Sequence, residues 1–420
     1  MRTALATTVV ASVVALAAPT LAPAATPGVT AQAQAANAAF LAYAPAPAAG
    51  AGALCLVDTG VHANPDTSPG LVAATALNGG SGEDVDPQGH GTTMAMIAGA
   101  AGVGMVGAWP QLKIVSVRAT EEPAPGQEPT FEFNDYWEGI QQCLEQQSFH
   151  IHAIDLALSS TIPPSPDEAQ KLETAVAEAS ANNVAIIAAA GNTPGPVEQP
   201  AAEPGIFAVG AFTAQPDQAS IGPEGSVCSF SANQALTFYA PGCGLDEAEP
   251  FTDQPSCCGN GTSQASAFAA AVTVAMMSYD PTLTYSHAEQ LLVSTATDGD
   301  LNVTAAFEAD GLRSIVTAGN ANIPQPSATA PAPPAQVRPQ GPGPVHMHLL
   351  RWRRGVLTIS VAPLPATAQL QVELKYAHGA RRVISKRATL RVRTSRPHTV
   401  DLRLIVGTTD GPVLTVKLKK

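Results

Sequence analysis

Short, almost continuous apolar runs recur along the middle of the chain and alternate with amphipathic segments. The runs lie at residues 53–57, 112–117, 154–158, 184–190 and 206–211. Runs of this kind are typical of strands that are buried on both faces of a parallel sheet. Because helical segments separate them, the pattern predicts a doubly wound α/β domain from about residue 50 to residue 320.

Polar residues in front of the amphipathic segments predict where helices begin. Asn134 precedes a stripe that includes Trp137 and Ile140, and it is the predicted cap of that helix. Residues 165–168 and 286–289 have the serine-to-glutamate spacing of a capping box. A further helix is predicted to start near Ser263, where a glycine and two hydroxyl residues lead into a long apolar run.

The composition changes after the predicted α/β domain. Residues 321–343 are rich in proline and alanine and predict a semi-rigid linker. Residues 344–420 contain short segments with alternating polarity, which predict a small all-β, sandwich-like domain. The formal charge is about −25 before Pro344 and about +12 from Pro344 onward, from 6 and 15 basic residues respectively. The basic domain is a candidate for binding an anionic cell-surface polymer or lipid headgroups, and the alternative is a solvated basic surface without a partner.

The first residues predict export. Arg2 precedes the apolar run 4–18, and small residues at 22–25 are typical of a cleavage site, so residues 1–25 are interpreted as a signal peptide. The alternative is an uncleaved membrane anchor. No later run is long enough for a transmembrane helix, and we expect a secreted or cell-envelope-associated protein with no nucleic-acid partner. Residues 26–49, rich in alanine and proline, are expected to form a flexible or extended leader.

The cysteine count fits that compartment. Six cysteines, an even number, suggest disulfides in an exported protein. We expect at least one bridge among Cys228, Cys243, Cys257 and Cys258, without knowing the pairing. A zinc site is the alternative, but no histidine lies near these cysteines at ligand spacing. We therefore predict no metal and no cofactor.

Four polar residues stand at the ends or starts of the predicted elements. Asp58 ends the first strand, His90 opens a helix, Asn192 follows a buried strand, and Ser263 precedes the last long apolar run. Each has an ordinary explanation by itself, as a turn residue, a surface histidine or a helix cap. Together they place an acid, an imidazole, an amide and an alcohol at the edge of one sheet, where open α/β sheets bind ligands.

These residues and their neighbours resemble the subtilisin-like serine peptidases. The matching motifs are 57–60 (Val-Asp-Thr-Gly), 90–92 (His-Gly-Thr), 189–192 (Ala-Ala-Gly-Asn) and 261–263 (Gly-Thr-Ser), and the likeness extends to 239–242 and 291–298. As a set they are highly specific and cover nearly the whole α/β domain. The resemblance implies a subtilisin-like fold, peptide or protein substrates, and hydrolysis through an acyl-enzyme.

The resemblance also implies a role for each residue. Ser263 would be the nucleophile, His90 its base, and Asp58 the group that orients the imidazole. The side chain of Asn192 and the backbone N–H of Ser263 would hold the oxyanion. An unshifted histidine would make activity fall as the pH drops through about 6.5. Asp84 or Asp86 could orient His90 in place of Asp58.

Substrate-binding positions follow from the same likeness, and here the chain departs from the family pattern. The predicted positions are Ala157, Leu158, Ser159, Ala189 and Gly191. Family members usually have two glycines where this chain has 159–160 (Ser-Ser), so the serines are expected to crowd the cleft and alter substrate preference.

Further departures concern residues around the nucleophile and the chain before the α/β domain. Ala267 stands where proline is usual, and Asp155 stands where asparagine is usual; Asp155 is expected to hydrogen-bond to its own loop. Residues 99–107 form a short loop, from which we predict no calcium at that position. Residues 26–49 are too short for an inhibitory pro-domain. The sequence predicts an exported serine endopeptidase, and the alternative is a catalytically silent protein of the same fold that binds peptides or a cell surface.

Overall fold

A computed structural model describes residues 28–77, 86–120, 131–215 and 224–324 and, farther along, the strands and short turns that lie between residues 347 and 417. The backbone is described at Cys257 and Cys258, but their side chains are not. The chain divides into two compact units, Met1–Gln325 and Pro326–Lys420. The predicted signal peptide and most of the predicted linker lie outside the described residues.

One twisted sheet organises the first unit, with strand order β2-β3-β1-β4-β5-β6-β7-β8. All neighbouring strands are parallel except the last pair, β7 and β8, which is antiparallel. The strands are β1 Ala53–Asp58, β2 Leu71–Ala76, β3 Lys113–Arg118, β4 Ile151–Leu156, β5 Ala185–Ala189, β6 Ile206–Thr213, β7 Phe238–Ala248 and β8 Pro255–Asn260. The mostly parallel α/β prediction is confirmed.

The five predicted strands are present with bounds shifted by up to three residues, and three others were not predicted. β2 is only partly buried, β7 contains proline, glycine and two acidic residues, and β8 contains proline, glycine and other polar residues. The apolar-run criterion therefore missed them, because it detects strands whose side chains are buried on both faces.

Helices cover both faces of the sheet. They are α1 Ala31–Ala35, α2 His90–Gly99, α3 Phe133–Glu145, α4 Pro166–Ala181, α5 Thr262–Tyr279, α6 Tyr285–Thr295, α7 Val303–Ala309 and α8 Arg313–Asn322. Side chains of α2 and α5 pack in one core, and those of α3 and α4 pack in a second core on the opposite face. α5 is almost completely buried, as its apolar surface on all sides requires. Within the described part of the chain, no helix is long and apolar enough to cross a membrane.

Two predicted helix caps are wrong. α3 begins at Phe133, after Glu132, and the carboxylate of Asp135 accepts the N–H of Glu132 at 2.7 Å, so Asn134 lies inside the helix. α6 begins at Tyr285 and is capped by Thr284, whose hydroxyl accepts the N–H of His287. In both cases the cap lies two residues earlier than predicted. The predicted capping box at the start of α4 is confirmed.

The expectation of a flexible or extended leader is wrong for residues 30–44. They form α1 and a short 3₁₀-helix, Ala39–Tyr43, and they pack onto the sheet domain. Phe40 is 1% exposed, and its ring lies 5.1 Å from that of Phe307. The side chain of Gln32 donates to the backbone oxygen of Asp246 at 2.8 Å. The segment is too short to form a core of its own. Its apolar side chains are instead buried in the core of the domain that follows, and composition alone does not predict that contact.

Two disulfides link described cysteines. Cys228 bonds to Cys243, which confirms a bridge among the four crowded cysteines, and Cys55 bonds to Cys143. The second bridge joins β1 to α3 across 88 positions of sequence. It fastens the strand that carries Asp58 to the helix layer behind it.

The second unit contains two antiparallel sheets, which confirms the all-β prediction. Its strands are β9 Met347–Arg353, β10 Val356–Val361, β11 Ala368–Lys375, β12 Ala380–Ser385, β13 Thr389–Arg393, β14 Thr399–Val406, β15 Thr409–Asp410 and β16 Leu414–Lys417. One sheet has the order β13-β10-β9, and the other has the order β12-β11-β14-β15 with β16 also paired to β14. Alternate apolar residues of both sheets, such as Leu357 and Val372, share one core.

Candidate active site

Four predicted site residues lie at or just beyond the ends of regular elements. Asp58 is the last residue of β1, and His90 is the first residue of α2. Ser263 is in the first turn of α5, and Asn192 lies three residues after the end of β5. Because β1 and β5 are parallel strands of one sheet, their carboxyl ends lie at the same edge.

Asp58 and His90 are in direct contact. The Nδ1 atom of His90 lies 2.7 Å from Oδ1 of Asp58, a carboxylate that is almost fully buried. The same oxygen accepts the backbone N–H of Thr59 at 2.6 Å. Since Nδ1 is engaged by the carboxylate, Nε2 is the nitrogen that remains for a reacting group.

Asp86, the alternative partner of His90, has a different set of contacts. Its carboxylate accepts from the hydroxyl of Thr59 at 2.9 Å, and from the backbone N–H and hydroxyl of Thr92 at 2.8 and 2.6 Å. It also accepts the N–H of Gly89 at 2.8 Å, which fixes the turn before α2. Asp86 therefore holds the loop that carries His90, and Asp58 holds the imidazole. Asp84 lies outside the described residues.

The electrostatic surroundings of His90 favour its charged form. Burial by itself would lower the pKa of the imidazole, but the charge and hydrogen bond of Asp58 oppose that effect. With smaller contributions from Asp86 and Asp155, they raise the pKa of His90 to about 9. The sequence-based value of about 6.5 assumed an unshifted histidine, and sequence alone does not show how close these carboxylates come.

Asn192 and Ser263 are connected through Thr262. The side-chain oxygen of Asn192 accepts the backbone N–H of Thr262 at 2.9 Å and its hydroxyl at 3.0 Å. That assignment leaves the amide NH₂ of Asn192 as the group that can donate to a ligand. Ser263 is 8% exposed, and the first N–H groups of α5 have no acceptor within the helix.

A cleft of about 470 Å³ brings His90, Asn192 and Ser263 together. Its other lining residues are Gln88, Gly89, Thr93, Met94, Phe131, Ala157, Leu158, Ser159, Glu247, Pro250 and Gln264. Three predicted substrate-binding residues are therefore in the wall of the cleft. Ala189 and Gly191 are buried and are not among the lining residues, and their role in binding substrate stays a prediction.

The model of the subtilase family, Peptidase_S8, matches residues 51–312. The chain belongs to the subtilase family. Among curated relatives, Subtilisin DY of Bacillus licheniformis is 27% identical over 60% of this chain and 89% of its own length. Minor extracellular protease Epr of Bacillus subtilis is 28% identical over 54% of this chain but only 32% of its own length. These relatives support a serine peptidase.

Solved subtilase-like structures agree with the fold. The S41 psychrophilic protease has a TM-score of 0.54 at 23% identity and covers 66% of this chain and 92% of its own. The MycP3 protease of the type VII (ESX-3) secretion system has a TM-score of 0.53 at 20% identity and covers 69% of this chain and 89% of its own. At these identities the likeness shows the fold alone.

Asp155 of this subtilase differs from its sequence-based prediction. It lies in β4, fully buried, and neither carboxylate oxygen has a hydrogen-bond partner, so the predicted bond to its own loop is wrong. The hydroxyl of Ser266 is close to it but donates to the backbone oxygen of Ser263 at 2.9 Å. Burial, with the nearby charge of Asp58, raises the pKa of Asp155 well above its usual range.

The short loop after α2 is held by a buried aspartate. The carboxylate of Asp66 accepts four backbone N–H groups, those of residues 102–105, at 2.7 to 3.2 Å. N–H donors rather than other oxygen atoms thus surround this carboxylate. In the described residues there is no cluster of His, Cys, Asp and Glu that could hold a metal ion. The absence of calcium at this loop stays a prediction.

Sequence reasoning missed two acidic residues at the site. Glu247 of β7 lines the cleft, and burial raises its pKa. Glu198 accepts a hydrogen bond from the hydroxyl of Ser159 at 2.7 Å. Neither residue belongs to a motif, and the contacts of each depend on segments that are distant in sequence. The lack of lysine and arginine in the surrounding segments was the one available signal.

Proposed function

We propose that this chain is an exported serine endopeptidase that uses Asp58, His90 and Ser263, with Asn192 as an oxyanion donor. The observation that carries the proposal is the 2.7 Å contact between Asp58 and His90 at a cleft that Ser263 also lines. Membership of the subtilase family and the protease relatives support the same chemistry. Peptide or protein substrates follow from it.

The first half of the reaction forms the acyl-enzyme. Oγ of Ser263 bonds to the carbonyl carbon of the substrate while its proton moves to Nε2 of His90. Asp58 keeps the Nδ1–H tautomer and stabilises the imidazolium. The carbonyl oxygen becomes negative and accepts hydrogen bonds from the amide of Asn192 and the first N–H groups of α5. The C–N bond then breaks as His90 gives the proton to the leaving amine.

The second half returns the enzyme to its starting state. Water attacks the acyl carbon and loses a proton to His90, and the bond to Oγ breaks as that proton returns to Ser263. This sequence needs a neutral imidazole at the start. No metal or cofactor takes part.

Labelling with a fluorophosphonate probe tests the proposal. We expect the mature protein to be labelled, the Ser263→Ala variant to be unlabelled, and the Ser294→Ala variant to be labelled like the wild type. Ser294 is an exposed serine of α6 and serves as the matched control. Labelling that persists in Ser263→Ala contradicts the assignment of the nucleophile. No labelling of the wild type also contradicts the proposal. The second result would favour a silent peptide-binding or surface-binding protein.

Export and the role of the basic region belong to the same proposal. The apolar run near the amino terminus supports export, and one curated relative is named as an extracellular protease. The excess of basic residues after Pro344 supports binding to an anionic cell-surface polymer. Fractionation of the producing cells, with the culture medium and cell envelope assayed separately, tests both points.

A further inference from the structure

Glu198 occupies a fixed position beside the proposed oxyanion site. Its backbone N–H donates to the carbonyl of Ala190 at 2.9 Å. The next residue, Gln199, exchanges two backbone hydrogen bonds with Ser160, at 2.7 and 2.9 Å. The segment that carries Glu198 is thus paired on one side to the chain before Asn192 and on the other to the chain after Ser159. Its location follows from backbone pairing and does not depend on a mobile side chain.

The carboxylate of Glu198 contacts both of these chain segments. Its Oε2 atom accepts the hydroxyl of Ser159 at 2.7 Å. On the other side it lies against Gly191, where a Cβ atom would overlap Cγ, Cδ and Oε2 of Glu198. Gly191 also has a φ of +109°, which other residues rarely adopt. The glycine and the carboxylate are therefore packed as one unit, immediately before Asn192.

The negative charge of Glu198 has no cationic partner in the part of the chain that the structure describes, where the ion pairs are His90–Asp58 and Arg313–Glu308. A hydroxyl supplies one hydrogen bond, whereas an ionised carboxylate can accept about four. Glu198 is only partly exposed, so water solvates it incompletely. The cleft itself is lined by Glu247 but by no lysine or arginine among its described residues. A cationic group in the cleft would meet Glu247, and one that passes Ser159 would reach Glu198; the only positive side chain among the described lining residues is His90 when it is protonated.

We infer that Glu198 selects substrates with lysine or arginine at the residue whose carbonyl is attacked. The inference rests on the proposed function, since it needs the carbonyl to lie between Ser263 and Asn192. The side chain of that residue then starts two bonds away, and we place it beside Ser159 with its end at the carboxylate that Ser159 contacts. A long basic side chain covers this distance and pairs with Glu198, and arginine can bind both oxygens. A neutral side chain would leave the half-buried charge without compensation.

Kinetics on matched peptides tests the inference. The substrates are identical except for arginine, lysine, glutamine or methionine before the scissile bond, and the measured quantity is kcat/KM. We expect the wild type to prefer arginine over methionine by about 100-fold, as desolvated charge pairs often give. In Glu198→Gln the ratio should fall at least tenfold, and in Glu198→Lys it should fall further, with an acidic residue now preferred over arginine. Glu178→Gln removes an exposed carboxylate of α4 and should leave the ratio unchanged.

The possible failures are distinguishable. Fluorophosphonate labelling with cleavage of all four peptides at similar rates would overturn the inference and leave the proposed peptidase intact. An equal loss of activity on every peptide in Glu198→Gln would also overturn it, since that result means a structural role through Ser159. An equal fall of the ratio in Glu178→Gln would assign the preference to overall negative charge and overturn the role of Glu198. Absence of both labelling and cleavage would refute the proposed function itself.

Discussion

The protonation state of His90 gives the sharpest test of the site. With a pKa of about 9, the charged imidazole outnumbers the neutral form by about 100 to one at pH 7, because each pH unit is a factor of ten. A peptidase that needs neutral His90 should therefore gain about tenfold in kcat/KM per pH unit until about pH 9. Replacing Asp58 by asparagine removes the main charge that raises the pKa and leaves burial, which lowers it. The pKa of His90 should then fall towards 6.5 or below.

Titration of the histidine rings by NMR measures this directly. The Ser263→Ala variant avoids self-digestion, and His90→Gln in the same background assigns the His90 signal. His152 is an internal control, because burial and the neighbouring His150 lower its pKa and it should titrate on the opposite side of 6.5. An inflection for His90 at or below 6.5 in the Ser263→Ala protein would refute the electrostatic reasoning. An unchanged inflection after Asp58→Asn would refute the assignment of Asp58 as its cause.

The raised pKa of His90 also has a consequence for stability. The folded state binds this proton more tightly than the unfolded state does, so the contribution to folding is fully present below about pH 6.5. It is lost as the pH rises through about 9. The most active form of the enzyme is thus the form in which the Asp58–His90 pair stabilises the fold least.

Three further predictions concern stability, each measured by chemical denaturation in the Ser263→Ala background. Asp155→Asn should raise the free energy of unfolding by about 1–3 kcal/mol at pH 8, since it removes a buried carboxylate without partners. The gain should shrink towards pH 4, close to the ordinary aspartate pKa of 3.8, because keeping Asp155 neutral in the folded state costs little there. A gain that does not depend on pH would contradict this account. Asp66→Asn should cost about 3 kcal/mol, because four N–H groups of the 102–105 loop lose a carboxylate, and no loss would mean that the loop is held otherwise. Phe40→Ala should cost about 3–5 kcal/mol if residues 30–44 are part of the core, against almost no effect if they are a loose leader.

The sequence was sufficient for the α/β class, and it placed the four residues of the proposed site at the ends of regular elements. Strands buried on both faces need continuous apolar runs, and the runs that end at Asp58 and before Asn192 are long enough to be recognised. Parallel strands bring their carboxyl ends to one edge, so polar residues at those ends predict a site before any distance is known. The long apolar run after Ser263 likewise predicts a buried helix, which α5 is.

Tertiary structure decided the features that depend on long-range contacts. The pKa of His90, the isolation of Asp155 in β4 and the approach of Glu198 to Ser159 depend on pairs of atoms far apart in sequence. The packing of Phe40 under α8 depends on a core formed by other segments. Periodicity and local capping patterns show which face of a segment is exposed to solvent and where the segment begins, because they record polarity along the chain. They do not report which segments contact each other. The substrate preference of this site is expected to depend on those tertiary contacts.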